Sequence, residues 1–103
     1  MKIPKGAQKA ARMALSLKAK GYRGMTDTGM RRARQLARGG ELSEYDVKIM
    51  KAWYARHYFT SRPGYMKFKR ANFDETKFNK SQLRGAISYL GWGGETMERI
   101  FVK

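Results

Sequence analysis

The chain contains no cysteine and a single histidine, His57. Zinc sites need several convergent Cys or His ligands, so this composition excludes them, and it also excludes a disulfide framework. No run approaches the roughly 20 apolar residues of a membrane span, and the N-terminus has no signal-peptide core. We therefore expect no metal, no cofactor and no membrane association. The absence of cysteine also fits a reducing, intracellular compartment.

Acidic residues are scarce. The sequence has 8 Asp and Glu against 23 Lys and Arg, which gives a net charge of +15. Eleven of the basic residues lie in the first forty positions, where Asp27 is the one acid. Because self-repulsion on this scale costs stability, the simplest interpretation is a surface for a polyanion, with nucleic acid as the first candidate.

Apolar residues make up 42% of the chain and aromatic residues 13%, too much for a disordered basic tail. A length of 103 residues allows one domain with one modest core. We therefore expect a single basic helical domain over residues 1–103.

Hydrophobic spacing of the i, i+3, i+4, i+7 type predicts a helix over 4–20 and another one capped by Ser81. A shorter helix is predicted from the end of the 21–29 loop, with Thr26, Asp27 or Thr28 as its cap and with apolar residues at Met30, Ala33, Leu36 and Ala37. Another short helix is predicted after the glycines around Trp92. Ser43 and Asp46 have the spacing of a capping box, which would start a helix from 44 to about 59.

The segment 60–80 contains Pro63 and Gly64 and shows no sustained helical period. The predicted fold is therefore all-α, a compact bundle of four to five short helices with one long basic-aromatic loop over 60–80.

One helical face carries the strongest functional signal. At about 100° per residue, Arg31, Arg34 and Arg38 share one side, with Gln35 adjacent. Guanidinium forks on such a face fit phosphates or guanine edges, although a merely solvated basic face is the alternative. Further cations in the same region favour phosphate contact: Lys5, Lys9, Arg12 and Arg23.

The 21–29 link is too long for a helix-turn-helix, and the arginine face has few amide or hydroxyl side chains. Sequence-specific readout is therefore weakly supported. The expectation is backbone binding without sequence specificity, to DNA more than to RNA.

In the segment 60–80, aromatic rings alternate with the candidate contacts Lys67, Lys69 and Arg70. The rings could stack on bases of a single strand, or they could pin a long loop onto the bundle. Exposure of Tyr65 and Phe68 distinguishes these two interpretations.

Catalytic signals are weak. His57 falls on the apolar arc of its predicted helix, so we expect a hydrogen-bonded core histidine rather than a general base. The glycine clusters lack the frames of nucleotide-binding loops and are interpreted as helix stops, with Trp92 packed in the core. The prediction is a non-catalytic protein with no catalytic residue.

Three segments together resemble a small domain of tailed-phage proteins, which occurs alone or attached to larger virion and prohead-processing proteins. They are ARMALSLKAKGYRGMTDTG (11–29), GMRRARQLARGGELSEYDVKIMKAWYARH (29–57) and AISYLGWGGETMERIF (86–101). The resemblance leaves 58–82 without a counterpart, and Glu95, Thr96 and Met97 replace an Asp-Ala-Gly-like turn. It implies a phage origin, with location in the host cytoplasm or the virion.

The expected function is accordingly that of a phage nucleic-acid-binding protein. The alternative is a virion structural or assembly protein that docks on acidic capsid or scaffold proteins, with Trp92, Ile100 and Phe101 in an oligomer contact. A third class is an inhibitor of a host enzyme. A virion or host protein is thus a possible partner, and the oligomeric state stays open.

Overall fold

The computed structural model describes residues 1–102 and contains five helices in that range. They are α1 (Lys5–Ala19), α2 (Asp27–Arg38), α3 (Glu44–Arg70), α4 (Arg84–Gly91) and α5 (Gly94–Phe101), with one 3-10 turn at Glu75–Lys77. Extended pairing within 1–102 is limited to an isolated bridge between Lys2 and Glu41. The prediction of an all-α bundle is confirmed. None of the described helices combines the length and the apolar character that crossing a bilayer requires.

Helix α4 lies at the centre of the bundle and contacts all four other helices. Five of its eight residues are buried, so it presents almost no polar side to solvent. Tyr54 of α3 stabilises the turn between α4 and α5, because its hydroxyl donates to the carbonyl oxygens of Trp92 (3.2 Å) and Gly94 (3.0 Å). Burial raises the pKa of this phenol well above its ordinary value, which keeps the hydroxyl a neutral donor.

Helix α3 continues through Pro63 to Arg70, so the predicted helix end at 59 and the predicted loop over 60–80 are wrong. Proline in a helix interior removes one backbone hydrogen bond. Burial of Ser61 before the proline and of Tyr65 and Phe68 after it, at helical spacing, offsets this loss by extending the buried stripe of α3. The connection to α4 is correspondingly shorter and contains the 3-10 turn.

Gly64 is a packing residue of α3 and not a helix breaker. A Cβ built on it would lie 3.5 Å from the backbone nitrogen of Ala86, and one built on Gly85 would lie 3.3 Å from the carbonyl oxygen of Ser61. The backbones of α3 and α4 are therefore nearly in contact at this crossing, which only very small side chains permit.

The helix starts agree with the sequence analysis in two places and differ in a third. Thr26 accepts from the Gly29 N–H at the start of α2, and Ser43 and Asp46 form the predicted capping box of α3. The prediction that Ser81 caps α4 is wrong, because that helix begins at Arg84 without a side-chain cap.

His57 is exposed, so the prediction of a core histidine is wrong. Its ring lies on the outer face of Trp53, with 5.2 Å between the ring centroids. Trp92 is 5% exposed, which confirms its predicted place in the core.

The close crossing makes Gly85 a sensitive position. We expect Gly85→Leu to lower the free energy of unfolding by about 2–3 kcal/mol, because the side chain must push α3 away from α4. Urea unfolding followed by circular dichroism measures this. Arg84→Leu, at the exposed neighbour, is the control and should change stability little; equal losses in both variants would contradict the close-crossing explanation.

The two prolines give a second test. Pro63→Ala restores a backbone donor inside α3 and should raise the free energy of unfolding by about 1–2 kcal/mol. Pro4→Ala should give no such gain, because Pro4 precedes α1 and interrupts no helical hydrogen bond. Calorimetric melting of both variants measures the difference, and a lower melting temperature for Pro63→Ala would show that α3 needs its proline.

Candidate nucleic-acid interface

Helices α1 and α2 form an antiparallel pair whose outer sides carry the predicted cations. The start of α1 lies beside the end of α2, where the Gln8 side chain is 3.1 Å from the position of a Cβ on Gly39. Arg12 donates to the Gln8 side-chain oxygen (3.3 Å), so the cations of α1 approach the end of α2. We call the exposed cations of this pair the α1–α2 basic surface: Lys5, Lys9, Arg12, Arg31, Arg34 and Arg38.

The orientation of these cations follows from the opposite sides of their helices. Helix α1 buries Ala7, Ala11, Ala14 and Leu17, and helix α2 buries Gly29, Ala33 and Leu36. Most of these side chains are small, so the two helices pack closely against each other. The helical period then directs the six cations away from the core.

Four basic side chains outside this surface are neutralised by carboxylates, and within the described part of the chain the six cations of the surface are not. Salt bridges to carboxylates engage Lys20 with Glu75, Arg32 with Asp46, Arg62 with Glu98 and Lys69 with Glu95. Within residues 1–102, no carboxylate forms a salt bridge with any cation of the α1–α2 basic surface. Its positive charge is therefore left for solvent or a ligand.

Gln35 was predicted to join the arginine face, and the structure gives it a different task. It is half-buried and donates to the Asp46 carboxylate (3.2 Å), and its oxygen accepts from Arg32. Arg32 donates to the same carboxylate at 2.9 Å, which ties α2 to the start of α3. The side chain of Arg32, followed by the backbone N–H of Ser43, lowers the pKa of Asp46 to about 2.

Arg23 lies away from the α1–α2 basic surface. It borders a groove of about 420 Å³ together with Lys18 and Arg84, and it donates to the Ser81 hydroxyl at 3.2 Å. Sequence analysis missed Arg84, because only the packing of α4 against α1 brings it beside Lys18 and Arg23. We call these three residues the α4 cation group.

The cations predicted near the end of α3 separate in the structure. Lys67 and Arg70 line a groove of about 620 Å³ with Lys77, whereas Lys69 donates to both oxygens of Glu95 at 3.1 Å. Lys69 is therefore already neutralised.

Tyr65 and Phe68 are buried, which favours rings that pin the segment over rings that stack on bases. The Tyr65 hydroxyl donates to Glu95 (2.9 Å), and Phe68 packs edge to face on both Phe73 and Phe78. These aromatic residues hold the end of α3 and the following loop on the bundle.

No family model, curated protein or solved structure matches this chain. The resemblance to the tailed-phage domain therefore stays a prediction. In residues 1–102 no group of three or more His, Asp or Glu side chains gathers in a way that could hold a metal ion.

The Asp46 network predicts how stability depends on pH. A carboxyl whose folded pKa is depressed stabilises the protein above its unfolded pKa of 3.8, and this contribution is lost as the pH falls towards 2. We expect about 1–2 kcal/mol from this residue in that window. Asp46→Asn should remove this part of the slope in urea unfolding at pH 2–5. Glu44→Gln, in the same helical turn, is the control, and an unchanged slope in Asp46→Asn would contradict the assignment.

Proposed function

We propose that the α1–α2 basic surface binds the phosphate backbone of nucleic acid, DNA more than RNA, without reading its sequence and without catalysis. The observation that supports this is the set of six exposed cations on two packed helices, none of them in a salt bridge within the described residues 1–102. Several guanidinium and ammonium groups on one surface fit the repeated phosphates of a polyanion better than they fit a single small anion.

The width of the surface favours backbone contact over base readout. Two helices packed 8–10 Å apart present a face of roughly 20 Å, whereas the major groove is about 12 Å wide. The pair would therefore lie across phosphates. Gln35, the one amide beside the arginines, is held by Arg32 and Asp46 and is not available for an adenine edge.

The phage origin and the location in the host cytoplasm or virion belong to this proposal and are supported by the sequence resemblance alone. A small basic protein of this kind would coat or compact nucleic acid rather than recognise one site, because its contacts carry no base information.

The proposal predicts a steep salt dependence. If six cations contact phosphates of duplex DNA, log K should fall with log salt at a slope of about −5. Changing Arg31, Arg34 and Arg38 together to Glu should weaken binding by about 100-fold and roughly halve the slope. Fluorescence anisotropy with a labelled duplex of mixed sequence across a salt series measures both quantities.

The matched control changes Lys48, Lys51 and Arg99 to Glu, which alters the net charge equally at exposed sites outside the surface. This variant should keep most of the affinity. Equal loss in both triple variants would mean that net charge and not the α1–α2 basic surface determines binding. Full affinity in the arginine variant would overturn the proposal.

A second candidate is docking on an acidic protein, and exposed aromatic residues on α3 favour it. Phe59 is 81% exposed and Tyr45 is 72% exposed, whereas Trp92 is buried and not available for the oligomer contact expected from the sequence. Sedimentation distinguishes the two functions. A stable oligomer that does not change with added DNA, and that Phe59→Ser dissociates, would favour the protein interface.

A further inference from the structure

A cavity of about 320 Å³ opens between the start of α2, the middle of α3 and the end of α4. Its lining combines aromatic rings with small hydroxyl side chains, and one arginine lies at its edge: Trp53, Trp92, His57, Ser61, Ser88 and Arg56. Its size falls at the low end of the range of about 300–1,000 Å³ that is typical of small-molecule sites. The core does not need this space for packing.

A stack of rings forms one wall of this cavity. Trp92 and Trp53 stack with 5.1 Å between centroids at an angle of 11°, and the His57 ring centroid lies 5.2 Å from that of Trp53. The Arg32 guanidinium lies over the Trp92 ring at 5.6 Å. The indole faces are thus occupied, and a planar ligand would meet the exposed ring of His57 and the indole edges.

The indole edges carry donors without partners. Neither the Trp53 nor the Trp92 N–H donates a hydrogen bond within residues 1–102, although other polar side chains there form 26 side-chain or terminal hydrogen bonds. No fully enclosed side-chain nitrogen or oxygen in that range lacks a partner, so each indole nitrogen keeps at least a small exposed area. The Trp92 nitrogen lies at the start of α2, 3.5 Å from the position of a Cβ on Gly29. The cavity is the space that both side chains line.

Two cation-lined grooves adjoin the cavity. It shares Thr26 and Ser88 with the groove of the α4 cation group, and it shares Thr28 with a groove of about 300 Å³ that Arg31, Arg38 and Asp46 line. The cavity with its rings and donors therefore borders both cation-lined grooves. A single strand presents the complementary order of phosphate, base and phosphate.

We infer that the cavity and the two grooves beside it hold a single-stranded segment of nucleic acid. One unpaired base lies in the cavity, and its flanking phosphates lie on the α4 cation group and on Arg31 and Arg38. The inference rests on the proposed function, because Arg31 and Arg38 belong to the α1–α2 basic surface. Base carbonyl oxygens accept from the indole N–H groups, and the base ring contacts His57. An aromatic side chain of a peptide would contact the rings of the cavity, but it would leave the α4 cation group and the Arg31 and Arg38 side chains without anions.

The two tryptophans are the only ones in the chain, so their fluorescence reports directly on this cavity. We expect an octamer of thymidylate to quench the fluorescence saturably, whereas a duplex should bind by anisotropy with little quenching. Two variants fill the cavity, Ser88→Leu in its wall and Thr28→Phe at its exposed edge. Each should reduce quenching by the octamer at least fivefold and leave duplex binding within twofold. Circular dichroism confirms which variants fold.

Two further variants test the chemistry. Arg84→Glu should weaken octamer binding by about tenfold, and Lys48→Glu, with the same change of charge at an exposed site, should not. His57→Ala should reduce the affinity for the octamer, whereas Tyr45→Ala, another exposed aromatic of α3, should not.

The outcomes separate this inference from the proposed function. Octamer binding without quenching, or quenching that survives both filling variants, overturns the cavity assignment while duplex binding stands. Failure of octamer and duplex alike overturns the proposed function together with the inference. If thymidine monophosphate quenches the fluorescence as well as the octamer does, the claim that the ligand is a single strand is overturned, and the cavity is assigned to a free nucleotide. Quenching by an aromatic peptide alone would assign it to a protein partner.

Discussion

The near contact of two backbones, where α3 crosses α4 at Gly64 and Gly85, is the constraint on which the rest of the structure depends. This crossing places α4 at the centre, and α1 and α2 then pack on the other side of α4. It also brings Trp92, just after α4, onto Trp53 of α3. The basic surface and the aromatic cavity thus share one origin, because both depend on where α4 is held.

The few carboxylates are all used to build the scaffold. Five of the eight form salt bridges, and these join α1 to the 3-10 turn, α2 to α3, α3 to α5, and the N-terminus to Glu41. Asp27 and Glu44 lie in the first turns of α2 and α3, where the helix dipole favours negative charge, and Asp74 caps the 3-10 turn. Five acids thus join separate segments of the chain, and the other three lie at the starts of helical segments. The outer faces are left with the positive surplus.

Local signals in the sequence predicted much of this architecture. Apolar spacing predicted α1 and α2 close to their observed positions in the sequence, and the capping box at Ser43 located the start of α3. Both signals depend only on residues that are neighbours in sequence. The end of α3 could not be predicted, because the burial that carries the helix past Pro63 comes from α4, from α5 and from the way the loop after α3 folds back on Phe68. The same reason explains Gln35, whose partner Asp46 lies on another helix, and Arg84, which joins Lys18 only after α4 is packed. Helical faces can be read from periodicity, but groups of residues from different helices cannot.

Helix α3 has 27 residues and is therefore about 40 Å long, so it spans the whole longest dimension of the molecule, 38 Å. It packs on α4 and α5 and is joined to α2 through Asp46, and the buried hydrophobic residues form one core cluster. A fragment cut at the middle of α3 would expose the Trp53 side of one half and the Tyr65 side of the other. Because both halves of α3 contribute to this one core, we expect the domain to unfold as a single unit.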